Sequence, residues 1–206
     1  MASGLYVRSG PNSGPFYYIK SRMHGYVLDV YGERQSPGTD VILYPKKPGA
    51  ADNQLWYFED AGDGFVYICS KLNGLVLDIY GASGRRGTKI ILWHRKSSPE
   101  ITANQKWKID GDFIVSALHA QVLDVKGASK AEVTPLIVWS KNVVDNEHQR
   151  WEIERVYFSG EDYVENTPSG QSSLVDVKEC GVAEYKQTVY WETKTQTESL
   201  RKDRSS

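Results

Sequence analysis

Short apolar runs alternate with turns rich in Gly, Pro, Asn and Asp along most of the chain. The first four runs lie at residues 16–20, 26–31, 41–44 and 54–59. Four short strands within roughly fifty residues, each bounded by turn residues, are typical of an all-β protein. Apolar residues nowhere recur with a sustained period of 3.6, so the pattern predicts almost no helix.

This pattern of strands and turns occurs three times. Each copy contains a Val-Leu-Asp motif, then a strand that ends in an aromatic residue fifteen positions after the aspartate, then a Gln-x-Trp motif. A unit of this size cannot bury its apolar face alone, whereas three units packed around a threefold axis can. Twelve strands arranged in this way also leave few exposed edges. We therefore predict an all-β fold, a β-trefoil of three four-strand repeats, with a β-rich C-terminal extension.

The repeats resemble the ricin B-type (R-type) lectin domain, a β-trefoil with one Gln-x-Trp motif in each repeat. The motifs that carry the resemblance are Gln54-Leu55-Trp56, Gln105-Lys106-Trp107 and Gln149-Arg150-Trp151. The resemblance covers residues of about 16–155 and implies a lectin domain at 1–155, followed by an extension at 156–206. It also implies that the ligands are galactose or N-acetylgalactosamine-type glycans. We expect the three motif tryptophans in the core, where they touch no ligand.

A sugar-binding site needs an aromatic plate for the apolar C–H face of the sugar, and a carboxylate and an amide for its hydroxyls. Each repeat offers such a set. In the family that the chain resembles, the aspartate accepts hydrogen bonds from two hydroxyls, the ring stacks, the asparagine donates and the glutamine supports the aspartate. The candidate sugar-binding residues are Asp29, Tyr44, Asn53 and Gln54 in the first repeat, Asp78, Trp93, Asn104 and Gln105 in the second, and Asp124, Trp139, His148 and Gln149 in the third.

The three candidate sites differ from one another. The second has every element of the family pattern, the first has Tyr44 where Trp is usual, and the third has His148 where the family has Asn. A neutral imidazole donates only one hydrogen bond, so we rank the sites second, first, third. Two alternatives stay open. The aspartates could be turn residues that bond to backbone amides, and the trefoil could be a protein-interaction or inhibitor module without sugar binding.

Composition narrows the function further. A net charge of −1 gives no electrostatic basis for a nucleic-acid partner. The chain has no Gly-x-Ser-x-Gly motif and no phosphate-binding glycine loop, so we predict no enzymatic activity. The four histidines lack the spacing of metal ligands, and we expect no metal and no cofactor. With six Trp and 13 Tyr, the chain has more aromatic residues than a core of this size needs, and exposed ones indicate binding. Cys69 and Cys180 are expected to be unpaired thiols.

The two ends of the chain lead to further expectations. The N-terminus has no signal-peptide pattern, so we expect a cytoplasmic protein, with release by a non-classical route as the alternative and membrane contact only through glycans. Residues 156–206 contain strand-like runs at 163–165, 173–177 and 188–193. Their Thr/Ser-rich alternation resembles the opening strands of aerolysin-like pore-forming modules. The extension is therefore expected to be one of two things. It is the first part of such a module, or it is a strand pair that packs on the trefoil or joins chains into a homodimer or higher oligomer. Several sites acting together would make the lectin multivalent, with agglutination or cytotoxicity as the expected result.

Overall fold

Twelve β-strands build the part of the chain that the computed structural model describes, which comprises residues 5–8, 14–98 and 101–157. They form one antiparallel sheet, which closes because the fourth strand pairs with both the first and the fifth. Within these residues there is no α-helix, only short 3-10 turns. The strands are β1 (Tyr17–Ser21), β2 (Val27–Val30), β3 (Val41–Tyr44), β4 (Trp56–Gly62), β5 (Phe65–Ser70), β6 (Val76–Ile79), β7 (Ile90–Trp93), β8 (Trp107–Asp110), β9 (Phe113–Ser116), β10 (Val122–Val125), β11 (Thr134–Trp139) and β12 (Trp151–Arg155).

The three repeats have the same strand register. β2 pairs with β3 so that Asp29 lies opposite Ile42, and β6 pairs with β7 so that Asp78 lies opposite Ile91. The corresponding pair in β10 and β11 is Asp124 and Ile137. Neighbouring repeats are joined by the pairs β4–β5, β8–β9 and β12–β1. The predicted β-trefoil of three four-strand repeats is confirmed.

The core tryptophans position the strands that carry the aspartates. Trp56 and Trp107 are fully buried and Trp151 is nearly so, as the sequence predicts. Their indole N–H groups donate to the carbonyl oxygens of Leu28, Leu77 and Leu123, at 3.2, 3.2 and 3.1 Å. Each of these leucines immediately precedes a candidate aspartate. A buried N–H is costly without an acceptor, so this bond fixes the strand relative to the core.

Some strand bounds differ from the sequence prediction. β4 begins at Trp56 and not at Gln54, because Asp52–Gln54 form a 3-10 turn. β11 begins at Thr134, two residues before the predicted start, because Thr134 pairs with Leu43 of the first repeat. Cys69 is buried without a disulfide partner among the described residues. The strand-like runs predicted within 156–206, together with Cys180, lie outside the described residues, and the domain division stays a prediction.

Candidate functional site

Each candidate site is assembled from three elements of its own repeat. The aspartate is the third residue of the four-residue strands β2, β6 and β10. The aromatic residue ends the partner strand, and a 3-10 turn before the next strand carries the asparagine or histidine and the glutamine. In the first repeat, Gln54 Nε2 lies 2.9 Å from Asp29 Oδ2, and Asn53 Nδ2 lies 2.9 Å from Asp29 Oδ1. The predicted residues therefore meet in space although up to 27 positions separate them in the chain.

The glutamine has the same three bonds in every repeat. Its Nε2 donates to the aspartate Oδ2 at 2.9, 2.8 and 2.7 Å in the three repeats. The same nitrogen donates to the backbone oxygens of Pro45, His94 and Ser140, each at 2.9 Å. Its Oε1 accepts from the backbone N–H groups of Lys47, Lys96 and Asn142. The glutamine is fully buried, so it supports the aspartate and the loop after the aromatic residue, and it is not itself open to a ligand.

The aspartates are buried carboxylates within strands. Asp29, Asp78 and Asp124 are each 3% exposed, although aspartate is rarely buried without a partner. Burial raises the pKa of all three above the usual range, and the glutamine bond offsets only part of that shift. The alternative in which they are turn residues bonded to backbone amides is wrong, because they lie inside strands and accept from glutamine side chains. Keeping a carboxylate here costs free energy, which is typical of a functional site.

The aromatic residues lie beside the aspartates and are open to solvent. Trp93 is 41% exposed and Trp139 is 37% exposed, while Tyr44 is half-buried. In the second repeat, Asp78, Trp93 and Asn104 line a groove of about 630 Å³. In the first repeat, Asp29 and Tyr44 line a smaller groove of about 240 Å³. The sequence-based expectation that some aromatic side chains are exposed is met at these positions.

Two lysines that were not predicted from the sequence complete the first and second sites. Lys96 Nζ lies 2.7 Å from Asn104 Oδ1 and 3.8 Å from Asp78 Oδ2. Lys47 Nζ makes the corresponding contacts with Asn53 Oδ1 at 3.2 Å and Asp29 Oδ2 at 3.7 Å. Each lysine stands three residues after the aromatic residue, and this shared spacing is the signal that could have revealed them.

The third site has a different donor pair. Asn142 occupies the position of the two lysines, and its Nδ2 lies 3.4 Å from His148 Nε2. The same histidine nitrogen lies 3.5 Å from Asp124 Oδ2. The amide that is absent before Gln149 is therefore present at Asn142, three residues after Trp139. His148 thus contacts the buried carboxylate of its own repeat, as Asn53 contacts Asp29 in the first repeat.

Neither a metal-binding cluster nor a membrane-spanning helix occurs among the described residues. Among them, no group of three or more His, Cys, Asp or Glu side chains is arranged to hold a metal ion. No helix in the described ranges is long and apolar enough to cross a membrane.

Comparison with known proteins gives one consistent result. The family model of the ricin-type beta-trefoil lectin domain matches residues 15–151. The designed threefold-symmetric protein ThreeFoil is 29% identical with a TM-score of 0.60, and the match covers 68% of this chain and 99% of that one. The C-half of the earthworm R-type lectin, solved in complex with GalNAc, is 28% identical with a TM-score of 0.57, covering 69% and 100%. The ricin B-like lectin of Macrolepiota procera, solved with lactose, is 24% identical with a TM-score of 0.55, covering 72% and 100%. A comparison with curated proteins finds no significant match. Because the family model spans all three repeats that build these sites, the chain belongs to the ricin-type β-trefoil lectin family.

Proposed function

We propose that this protein binds galactose and N-acetylgalactosamine-type glycans through up to three sites and catalyses no reaction on them. One observation carries the proposal. In each repeat, a buried carboxylate held by a glutamine lies beside a solvent-exposed or half-buried aromatic ring. A carboxylate offers about four lone-pair sites, and the glutamine uses one of them, so acceptors remain for two sugar hydroxyls.

The second site illustrates the proposed chemistry. The exposed ring of Trp93 takes the apolar C–H face of the sugar, and Asp78 accepts from two neighbouring hydroxyls. Lys96 lines the same groove and supplies donors for the sugar oxygens. The earthworm lectin C-half, 28% identical to this chain, is a protein solved with GalNAc, which supports this ligand class.

The three sites lie on one chain, which favours multivalent binding. A shallow sugar site is weak alone, and several sites that engage one surface raise the overall affinity without new contacts. We propose that the partners are glycoproteins or glycolipids and that any contact with a membrane occurs through their glycans. Agglutination follows where chains carry several working sites or pair through residues 156–206. The cytoplasmic location, with non-classical release as its alternative, is likewise a proposal.

The test is binding to immobilised asialofetuin, a glycoprotein with terminal galactose, in competition with free galactose and with mannose. We expect galactose to release the protein and mannose to have little effect. The variant Trp93→Ala should bind more weakly, whereas Tyr157→Ala, which removes an exposed aromatic ring outside the grooves, should bind as the parent does. Binding that galactose fails to displace would favour a protein-interaction module and overturn the proposal.

A further inference from the structure

The turn that lies beside the aromatic residue of each site belongs to a different repeat. The residue nine positions after the site aspartate is Gly38, Gly87 or Val133. The backbone N–H of Gly38 donates to Leu92 O at 2.7 Å, and that of Gly87 donates to Val138 O at 2.8 Å. The N–H of Val133 donates in the same way to Leu43 O at 3.0 Å. Since each acceptor immediately precedes an aromatic plate, a turn of the first repeat borders the second site, one of the second borders the third, and one of the third borders the first.

Val133 has a backbone conformation that its side chain disfavours. Gly38 and Gly87 have φ of 88° and 83°, which glycine adopts without steric cost. Val133 occupies the equivalent position with φ of 60°. A β-branched residue in the left-handed region is a genuine outlier, and such strain persists only where the surroundings hold it. Strained residues of this kind cluster at binding and active sites.

The residue at this position varies with the size of the plate. A Cβ added to Gly38 would lie 3.6 Å from Trp93 Cζ3, and one added to Gly87 would lie 3.6 Å from Trp139 Cζ3. At this distance a Cβ would be in ordinary van der Waals contact with the outer edge of the indole ring, so this position lies directly beside the plate. The first site has the smaller ring of Tyr44, and the valine side chain stands where the other two repeats have none. Val133 is 43% exposed and lines the same groove as Tyr44 and Asp29.

We infer that Val133 is a sugar-contacting residue of the first site, where the apolar plate is composite. Tyr44 from the first repeat supplies the ring, and Val133 from the third supplies the remaining apolar surface that an indole provides elsewhere. The groove of this site is also the smaller one, with a volume of about 240 Å³ beside about 630 Å³ for the second. The first site thus selects a single terminal sugar with a broad apolar face. This inference rests on the proposed sugar-binding function.

The test uses a chain in which only the first site can bind. The substitutions Trp93→Ala and Trp139→Ala remove the exposed plates of the other two sites, and binding of methyl β-galactoside is then measured by calorimetry. Val133→Gly relieves the backbone strain and removes the apolar contact. Losing about 40 Å² of apolar contact at ~25 cal/mol per Å² predicts about fivefold weaker binding. The melting temperature should stay the same or rise.

The matched control is Ala128→Gly in the same turn region. Ala128 also has a positive φ, of 48°, and does not line the first groove. It should keep the parent affinity. A second variant, Val133→Asn, replaces the apolar side chain with a polar one that tolerates the left-handed region. It should weaken binding as Val133→Gly does.

Three results would overturn the inference. One is parent affinity in both Val133 variants, and another is a loss of affinity that only accompanies a fall in melting temperature. The third is a background chain that binds no galactoside although the wild type does, because the first site would then not be a site. A wild-type chain that binds no galactoside overturns the proposed function itself, so the two failures are distinguishable.

Discussion

Removing the carboxylate of Asp78 should silence the second site and leave the fold intact. Asp78→Ala deletes the acceptor that we assign to two sugar hydroxyls. Each hydrogen bond to a charged group contributes about 1.5–3 kcal/mol, so the site should lose at least ~3 kcal/mol. That loss corresponds to more than about a hundredfold in affinity, which takes a weak sugar site out of the measurable range.

The cost to stability should be much smaller. Gln105 Nε2 loses the 2.8 Å bond to Asp78 but keeps its 2.9 Å bond to His94 O. Lys96 loses its anionic neighbour but keeps the 2.7 Å contact with Asn104 Oδ1. The substitution also removes a carboxylate whose pKa is raised by burial, which offsets part of the loss. We expect a net decrease in unfolding free energy of about 1 kcal/mol or less.

Calorimetry with galactose and thermal unfolding of the same samples separate the two effects. The stoichiometry should fall by one site while the melting temperature changes little. Gln105→Ala is the matched control. Removing this side chain also removes the acceptor of the Lys96 N–H and with it the bond that holds the loop after Trp93, so the variant should lower both galactose binding and stability. An unchanged stoichiometry in Asp78→Ala would refute the assignment of Asp78 as the sugar acceptor.

Three further predictions concern pH, the third site and the C-terminal extension. Protonation of Asp29, Asp78 or Asp124 removes the carboxylate that we assign to the sugar hydroxyls, and burial raises the pKa of all three. Galactose binding should therefore be lost at a higher pH than the pKa of an ordinary aspartate predicts, as binding curves from pH 7 to pH 4 would show. Each of these carboxyl groups binds its proton more tightly in the folded state. Its contribution to the free energy of unfolding is therefore greatest below the unfolded pKa and is lost as the pH rises through the folded pKa. Asp78→Ala should reduce this dependence of stability on pH. His148→Asn should strengthen the third site by restoring an amide donor, and a lower galactoside affinity in this variant would contradict that reading. A chain of residues 1–157 keeps the bond from Val156 N–H to Phe16 O, so it should fold and bind galactosides. It should form smaller oligomers by light scattering and cause weaker haemagglutination than the full chain. Equal behaviour of the two chains would refute a role of the C-terminal extension in oligomerisation.

The sequence was sufficient for whatever depends on residues that recur with the repeat. The aspartate, the aromatic residue and the glutamine stand at matching positions, and both the fold and the meeting of these side chains could be predicted from that spacing. Contacts between repeats could not be predicted in this way. Nothing in the spacing of Val133 shows that it borders Tyr44, because the hydrogen bond that places it runs to a strand about ninety residues away, from Val133 N–H to Leu43 O. Lys47 and Lys96 were missed for another reason, since a lysine in a polar loop is ordinarily a solvated surface residue.

The loop that follows each aromatic plate is secured by a second interaction that recurs in every repeat. The second residue after the aromatic plate is a lysine or arginine. Its cationic group forms an ion pair with an acidic residue on the strand that begins at a core tryptophan, and it also lies over an aromatic ring. The three sets are Lys46 with Glu154 and Tyr18, Arg95 with Glu59 and Tyr67, and Lys141 with Asp110 and Phe113.

The position of the cation explains how the sites can differ on one scaffold. The next residue along each loop is Lys47, Lys96 or Asn142, whose backbone N–H is held by the site glutamine. The loop is thus fixed on one side by a cation–π contact and an ion pair, and on the other by the buried amide that also holds the aspartate. These supports are the same kind of contact in all three repeats, whereas the side chains that face the grooves vary between them. Because the backbone is held in this way, the aromatic plate, the donor residues and the residue in the turn from the other repeat can change without moving the carboxylate that they surround.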